Sequence, residues 1–433
     1  MKASFLLIVS LLLLVSWSTA QTNSKSVPAN FPLSLWTEHK QVTQIPWTVS
    51  VGQAHYRSDL RQELEITAAI RQGNLEKSGD KHDLTFYYRV LNGSTPITSI
   101  QFVEPNLSSP QVPRLLRYVT FFQQVALVRP GKYKLEMAVF DRATGLYSTC
   151  YENVVVPGNE TDPLELNFRS FPSFEFVEMA EIEPTNPNPL PRFPFPRDLS
   201  SVIANGGAIP RRVLTTADRG VSTDPLPSFV VDKPNKLNIS VISILSPPER
   251  ALGNDYSLAV FQNNLTNFLW AFSRLEVANG TAKLTGVDLS DRTIVIDRVD
   301  LKEVTREMLN NAINKDTNTV SVDALAGVAD RGRFLRDLIR ERLKEAEGES
   351  DGTEHVIILV AARSDLLKGS SAAPLFPGQD CHCRVFYVRF ALQPNESDDI
   401  DSLLKAYKPR IFEALDWQEF RKNFARIYEQ LLR

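Results

Sequence analysis

The hydrophobic pattern of the chain changes character twice. From about Trp36 to Pro157 the apolar positions come in short runs rich in aromatic and β-branched residues. Thr48–Val51, Leu64–Ile70 and Leu84–Val90 are such runs, and Gln72-Gly73-Asn74 and Asn92-Gly93-Ser94 break them. Val125–Val128 is a further apolar strand, Pro130-Gly131 a turn, and Tyr133–Asp141 a strand with partial alternation. There Tyr133, Leu135 and Met137 share one pleat face, and Lys134 and Glu136 are expected to face water. Ala143-Thr144-Gly145 then turns the chain into Tyr147–Val156. Short strands at close intervals predict an antiparallel β-sandwich over 37–160.

Between 161 and 235 the pattern weakens and proline takes over, at 184, 187, 189, 191, 194 and 196. Such a run cannot supply the donors of a central strand or a helix interior, so it reads as an extended connector. A proline-dense module that binds a partner is the sharper alternative. Early proteolysis between about Leu164 and Asp232 is the expected mark of this boundary.

From 236 to 433 strands alternate with helices. Ile239–Leu245 is a mostly apolar strand, the mark of a sheet covered on both faces. Leu258, Phe261, Leu265, Phe268, Leu269 and Phe272 recur at helical spacing. Two β runs follow, Ala282–Val287 and Thr293–Val299, and Asp300 is a candidate cap for a helix over Val304, Met308, Leu309 and Ile313. Thr319–Val322 is a short candidate strand, and Phe334, Leu335, Leu338, Ile339 and Leu343 form a helical stripe. His355–Val360 is the strongest buried-strand signal, Val385–Phe390 a last strand, and 399–433 reads as largely helical. The order predicts an open, mostly parallel α/β sheet with helices on both faces.

Composition narrows the class. The 433 residues are 43% hydrophobic and 23% charged with a formal net charge of −3, which suits a multidomain globular protein and argues against a basic nucleic-acid binder. Lys2, the apolar run Phe5–Val15 and the small residues ending at Ala20 describe a secretory signal over 1–20, followed by a tail over 21–36. No later stretch is long and apolar enough to span a bilayer. The expected location is periplasmic or extracellular. Sequons at Asn92, Asn106, Asn159, Asn238, Asn264, Asn279 and Asn395 matter only in a glycosylating host. Cys150, Cys381 and Cys383 are too few for a disulfide scaffold. Around Cys381-His382-Cys383, four readings stand open: a zinc ligand pair, a Cys381–Cys383 disulfide, a bond to Cys150, and free thiols.

Strand, helix, hairpin, helices, apolar strand, connection, strand and helix over 237–433 resembles a von Willebrand factor A domain. With the signal, the Pro130-Gly131-Lys132-Tyr133-Lys134-Leu135 turn and an Ig-like sandwich ahead of it, the chain resembles the secreted bacterial proteins called von Willebrand A-related. Members that bind a metal end the first strand in Asp-x-Ser-x-Ser, add a Thr, and carry Asp-Gly after the fourth. Here the first strand runs into Ser243-Ile244-Leu245-Ser246-Pro247-Pro248 and the fourth into Ala361-Ala362-Arg363-Ser364-Asp365. The resemblance therefore implies an A-like fold with a dead metal site and no cofactor. It also implies partner binding at the loops carrying Ser246, Glu249, Arg363 and Asp365, the partner being a protein or envelope component.

Catalytic motifs are absent: the sequence has no His-Glu-x-x-His, Gly-x-Ser-x-Gly, P-loop or Gly-x-Gly-x-x-Gly. Of five histidines, His39, His55, His82, His355 and His382, His355 reads as a structural residue at a strand start. The arginines at 331, 333, 336, 340 and 342, interspersed with acids, read as a solvated helix face. The expectation is a non-enzymatic interaction protein, with a cell-envelope hydrolase as runner-up.

Overall fold

The computed structural model describes residues 41–71, 75, 82–98, 101–103, 119–158, 161–176, 226–248, 255–314, 328–347, 352–363, 383–390 and 398–433. The signal pattern, the proline run, Thr319–Val322 and the pair Cys381-His382 lie outside them. The described residues fall into two compact units, one drawn from 41–51, 66–123 and 132–155, the other from 52–65, 124–131 and 156–433.

Antiparallel strands fill the first half of the sequence: β1 (Trp47–Val51), β2 (His55–Tyr56), β3 (Gln62–Arg71), β4 (Leu84–Asn92), β5 (Thr95–Pro96), β6 (Gln101–Val103), β7 (Val119–Val128), β8 (Gly131–Asp141), β9 (Tyr147–Val156) and β10 (Phe174–Phe176). One sheet has the order β1-β3-β7-β10 with β2 on β3, the other β5-β4-β8-β9 with β6 on β4. Trp47 of one sheet meets Phe86 of the other edge to face, 5.3 Å between ring centroids.

In this unit Glu136 departs from the expected pattern. It is fully buried, because the register of β4 and β8 sets Arg89 directly opposite it. Arg89 Nε donates to Glu136 Oε2 at 2.8 Å, and Lys134 Nζ stands 3.5 Å from Oε1. A cross-strand charge partner makes burial tolerable where alternation alone would put the carboxylate in water.

Besides β2 and β10, the second unit holds β11 (Phe229–Val231), β12 (Leu237–Ile244), α1 (Asp255–Phe272), β13 (Leu275–Val277), β14 (Gly280–Asp288), β15 (Thr293–Asp300), α2 (Arg306–Ile313), α3 (Val328–Glu347), β16 (Glu354–Ala362), β17 (Cys383–Phe390), α4 (Asp399–Leu404), β18 (Arg410–Ala414) and α5 (Trp417–Leu432). Its six-stranded mixed sheet has the order β15-β14-β12-β16-β17-β18, in which β15 alone runs antiparallel to its neighbour. The alternation of a strand sorts its side chains into two cores. Ile239 and Val241 of β12 and Val356, Ile358 and Val360 of β16 join Phe261, Leu265 and Phe268 of α1, Leu309 of α2 and Phe420 and Phe424 of α5. Ile242, Ile244, Ile357 and Leu359 face Leu335, Leu338 and Ile339 of α3 and Ile400 and Leu403 of α4. Gly280 opens β14 with φ +145°, where a Cβ would lie 1.8 Å from Leu237 O. Only glycine fits that approach.

Residues 399–433 are largely helical, as their pattern predicts, apart from β18, whose apolar side chains Phe412 and Ala414 complete the sheet edge. Three expectations need correction here. Thr305, not Asp300, caps α2 by accepting from Met308 N, and Asp300 caps the short 3₁₀ turn Leu301–Glu303. Arg331 and Arg342 of α3 are buried, so the arginine run is not a wholly solvated face. The flanks of the proline-rich segment are structured: Leu164, Phe168, Phe229 and Val231 all belong to the core on the α1 face.

Arg421 of α5, 3% exposed, gathers this unit's irregular segments. Its Nε donates to Leu60 O at 2.9 Å, Nη2 to Glu165 Oε1 at 3.0 Å and Nη1 to Asp162 Oδ2. The guanidinium also stands 4.5 Å from the Tyr56 ring centroid. Leu60, fully buried, holds φ +62° to aim its carbonyl at Arg421.

Candidate functional site

The C-terminal ends of the parallel strands form the rim on which the sequence reading placed its binding residues. Ser243 of β12 is the register partner of Val360 of β16, so Ser246 and Arg363 lie beyond a single pair of neighbouring strands. Glu249 and Asp365 lie outside the described residues. Ser246 is 4% exposed and fully engaged: its Oγ donates to Asp288 Oδ1 at 2.7 Å and accepts from Leu289 N at 2.6 Å and Ser290 N at 3.2 Å. It ties the end of β12 to the end of β14.

Arg363 continues β16, its N–H donating to Phe390 O at 2.7 Å, and its guanidinium pairs with Glu413 of β18. Glu413 also accepts from Arg389 of β17 at 3.3 Å. Arg389 reaches Asp398 at 3.2 Å, and Asp398 accepts from Tyr387 Oη at 3.0 Å and from Ile400 N at 3.2 Å as the cap of α4. Burial raises the Asp398 carboxyl above its ordinary value, against the pull of the Tyr387 and Arg389 donors. Burial, with Asp398 beside it, pushes the Tyr387 phenol well above its usual range. Burial would weaken the Arg389 cation, but the Glu413 and Asp398 charges outweigh it. Along this part of the rim guanidiniums and carboxylates alternate from Arg363 through Glu413 and Arg389 to Asp398, while Asp288 is taken up by the Ser246 hydroxyl and backbone N–H groups. Among the described residues no group of three or more His, Cys, Asp or Glu is placed to hold a metal.

Cys150 on β9 is a free thiol, its proton held by burial and by Glu152, whose Oε1 stands 3.8 Å away. Cys383, the first residue of β17, is disulfide-bonded. Sequence reasoning passed over the His–carboxylate pair formed by His82 Nδ1 and Asp141 Oδ2, 2.7 Å apart. Asp141 also accepts from Asp83 N, Ala143 N and Thr144 Oγ1, and His82 Nε2 is enclosed without a partner. A base must present its free nitrogen to a nucleophile or a water, and this one is shut in. The pair closes the turn after β8.

Among the described residues no helix is long and apolar enough to cross a membrane. No family model matches the chain, and no curated protein matches it. Two solved structures are similar at a low level. One is a Northeast Structural Genomics Consortium target, SoR45, 12% identical over 28% of this chain and 92% of its own, with a TM-score of 0.19. The other is the putative ApaA protein from Bordetella pertussis, 12% identical over 27% of this chain and 99% of its own, with a TM-score of 0.17. Likeness at this level carries no argument about fold or activity.

Proposed function

We propose that the chain is a secreted, non-enzymatic interaction protein whose mixed-sheet unit is a von Willebrand A-like domain without a bound cation. The observation that carries the reading is the strand order β15-β14-β12-β16-β17-β18 with a single antiparallel strand and helices over both faces. Read as first to sixth strand from β12 onward, this is the 3-2-1-4-5-6 order in which open α/β sheets place ligands where the order reverses. Ser246 and Arg363 flank that reversal. The contact chemistry follows from what stands there. Ser246 is spent on β14, and Arg363 brings a paired cation to the place where a metal-binding relative has Asp-Gly. A partner is met by hydrogen bonds and charge, not through a bridging metal. The Cys383 disulfide and the signal pattern over 1–20 support an oxidising compartment outside the cytoplasm.

The test is capture of partners from native envelope extract by wild type, by Glu249→Ala and by Glu413→Gln, each with and without EDTA. Capture that survives EDTA and falls in both rim variants supports the reading. Capture abolished by EDTA, or unchanged in both variants, overturns it.

A further inference from the structure

At the opposite end of the mixed sheet, two cations share one aromatic ring. α1 leaves the C-terminal end of β12 and leads back toward the start of β14, which runs parallel to β12, so its last turn lies at the N-terminal end of the sheet. Trp270 in that last turn packs half-buried against the core. The Arg274 guanidinium stands 4.1 Å from the centroid of its ring, and the Arg306 guanidinium, on the first residue of α2, stands 5.4 Å from it.

Neither guanidinium is neutralised in contact. Among the described residues neither has a carboxylate at ion-pair distance. Arg306 donates to the neutral Asn267 Oδ1 at 3.1 Å, and Arg274 Nε is enclosed without an acceptor. The nearest acids act from beyond contact and are engaged elsewhere. Asp59, which draws on Arg306, lies 3.6 Å from Arg57, and Glu276, which draws on Arg274, accepts from Ser228 Oγ at 2.5 Å. Arg57 and Arg274 both repel Arg306. Burial, the largest cause for both, holds Arg274 and Arg306 below the ordinary arginine value. Stacking on an indole offsets part of this cost, but it cannot satisfy the donors or cancel the repulsion. An oxyanion bridging the two forks would do both, since planar guanidiniums match tetrahedral oxygens in pairs.

We propose that Arg274 and Arg306, floored by Trp270, bind a phosphate-type oxyanion, either free or as the headgroup of a lipid. The site is independent of the rim, so its failure leaves the interaction reading untouched.

The experiment titrates the full chain with inorganic phosphate, and with sulfate as its isostere, by calorimetry and by indole fluorescence. A parallel arm measures co-sedimentation with phosphatidylcholine vesicles that contain or lack phosphatidic acid. The variants are Arg274→Gln, Arg306→Gln, the conservative Arg274→Lys and Arg306→Lys, and Trp270→Phe. Arg333→Gln on α3, whose side chain is 63% exposed, is the control for net charge. Saturable binding is expected, weakened by roughly tenfold or more in each Gln variant and less in each Lys variant, and kept by Arg333→Gln. Trp270→Phe should remove the fluorescence response while calorimetric binding persists. Binding of free phosphate assigns a soluble ligand, and binding only to phosphatidic acid vesicles assigns a headgroup. If a Gln variant fails to fold, its folded Lys counterpart carries the comparison. No binding in either arm, or equal weakening by Arg333→Gln, overturns the proposal.

Discussion

In the first unit, Arg89 and Glu136 are direct partners on neighbouring antiparallel strands, and the register of β4 and β8 brings them together. In the second, Arg421 of the last helix reaches Leu60, Asp162 and Glu165, hundreds of residues away in sequence. Both arrangements take a guanidinium and a carboxylate out of water. The first needs only the antiparallel pairing of β4 and β8, and the second needs the last helix docked onto segments near residues 60 and 162–165. A buried ion pair is a poor source of stability in itself, and removing one partner is expensive because the other is left uncompensated. The difference therefore lies in what each pair reports: local register in one unit, completed assembly in the other.

Arg421→Met should show the largest effect. It leaves Asp162 and Glu165 without their cation and the strained Leu60 carbonyl without a donor, so about 3–5 kcal/mol of stability should be lost. Urea unfolding followed through Trp417 fluorescence measures it, and a loss under about 1 kcal/mol would show that solvent reaches those groups. Arg89→Met should cost less, at the low end of that range, because Lys134 remains beside Glu136. The double replacement Arg89→Met with Glu136→Leu should recover most of the loss, as apolar isosteres of buried pairs do. A double mutant no better than the single would mean that the pair also sets the register.

Acid should separate the units in the opposite sense. In the first unit, burial alone would raise the Asp141 carboxyl, but donors from His82, Asp83 N, Thr144 and Ala143 N together hold it below its ordinary 3.8. A carboxylate depressed in the folded state stabilises above its unfolded value, and that contribution is lost as pH falls below about 3.8. In the second unit, burial raises Asp59, Glu165 and Asp398 despite the arginines beside them. A raised carboxyl binds its proton more tightly when folded, so its contribution is fully present below the unfolded value and is lost as pH rises through the folded one. Hydrogen exchange between pH 5 and 3 should thus show β8 losing protection while β16 and β17 keep theirs. Equal loss in both would remove the contrast.

How much of this was legible in the sequence follows from the same contrast. β12, β16 and β17 were readable within two or three residues because they lie inside the sheet with long apolar runs, and β14 and β15 because β-branched residues recur along each. β18 was missed because Arg410-Ile411-Phe412-Glu413-Ala414 on the sheet edge needs only Phe412 and Ala414 in the core. β11 and β13 were missed because three-residue strands carry no period. Glu136 was misplaced because alternation does not reveal which residue stands opposite. Of the rim, Ser246 and Arg363 were placed on the right strands. The acids that occupy them, Asp288 and Glu413, were not found, since each pairing depends on strand adjacency.

The smallest expected effect is none, and it bears on the rim. In an A-like domain that holds a cation, carboxylates converge on the metal, and chelation removes a ligand that binds the folded state alone. Such a loss lowers the melting temperature by an amount that grows with the logarithm of the ligand concentration over its dissociation constant. Here the Ser246 hydroxyl is spent between Asp288 and two backbone N–H groups, and Arg363 stands at the end of β16 paired with Glu413. A dication approaching that rim would meet Glu413 and Asp398 already paired with arginines and Asp288 already taken up by hydroxyl and backbone donors. EDTA, and magnesium added back, should therefore leave the melting temperature of the full chain within about 1 °C. A fall of several degrees on chelation, restored by Mg²⁺, would show a cation on the folded chain and overturn the metal-free reading of the domain.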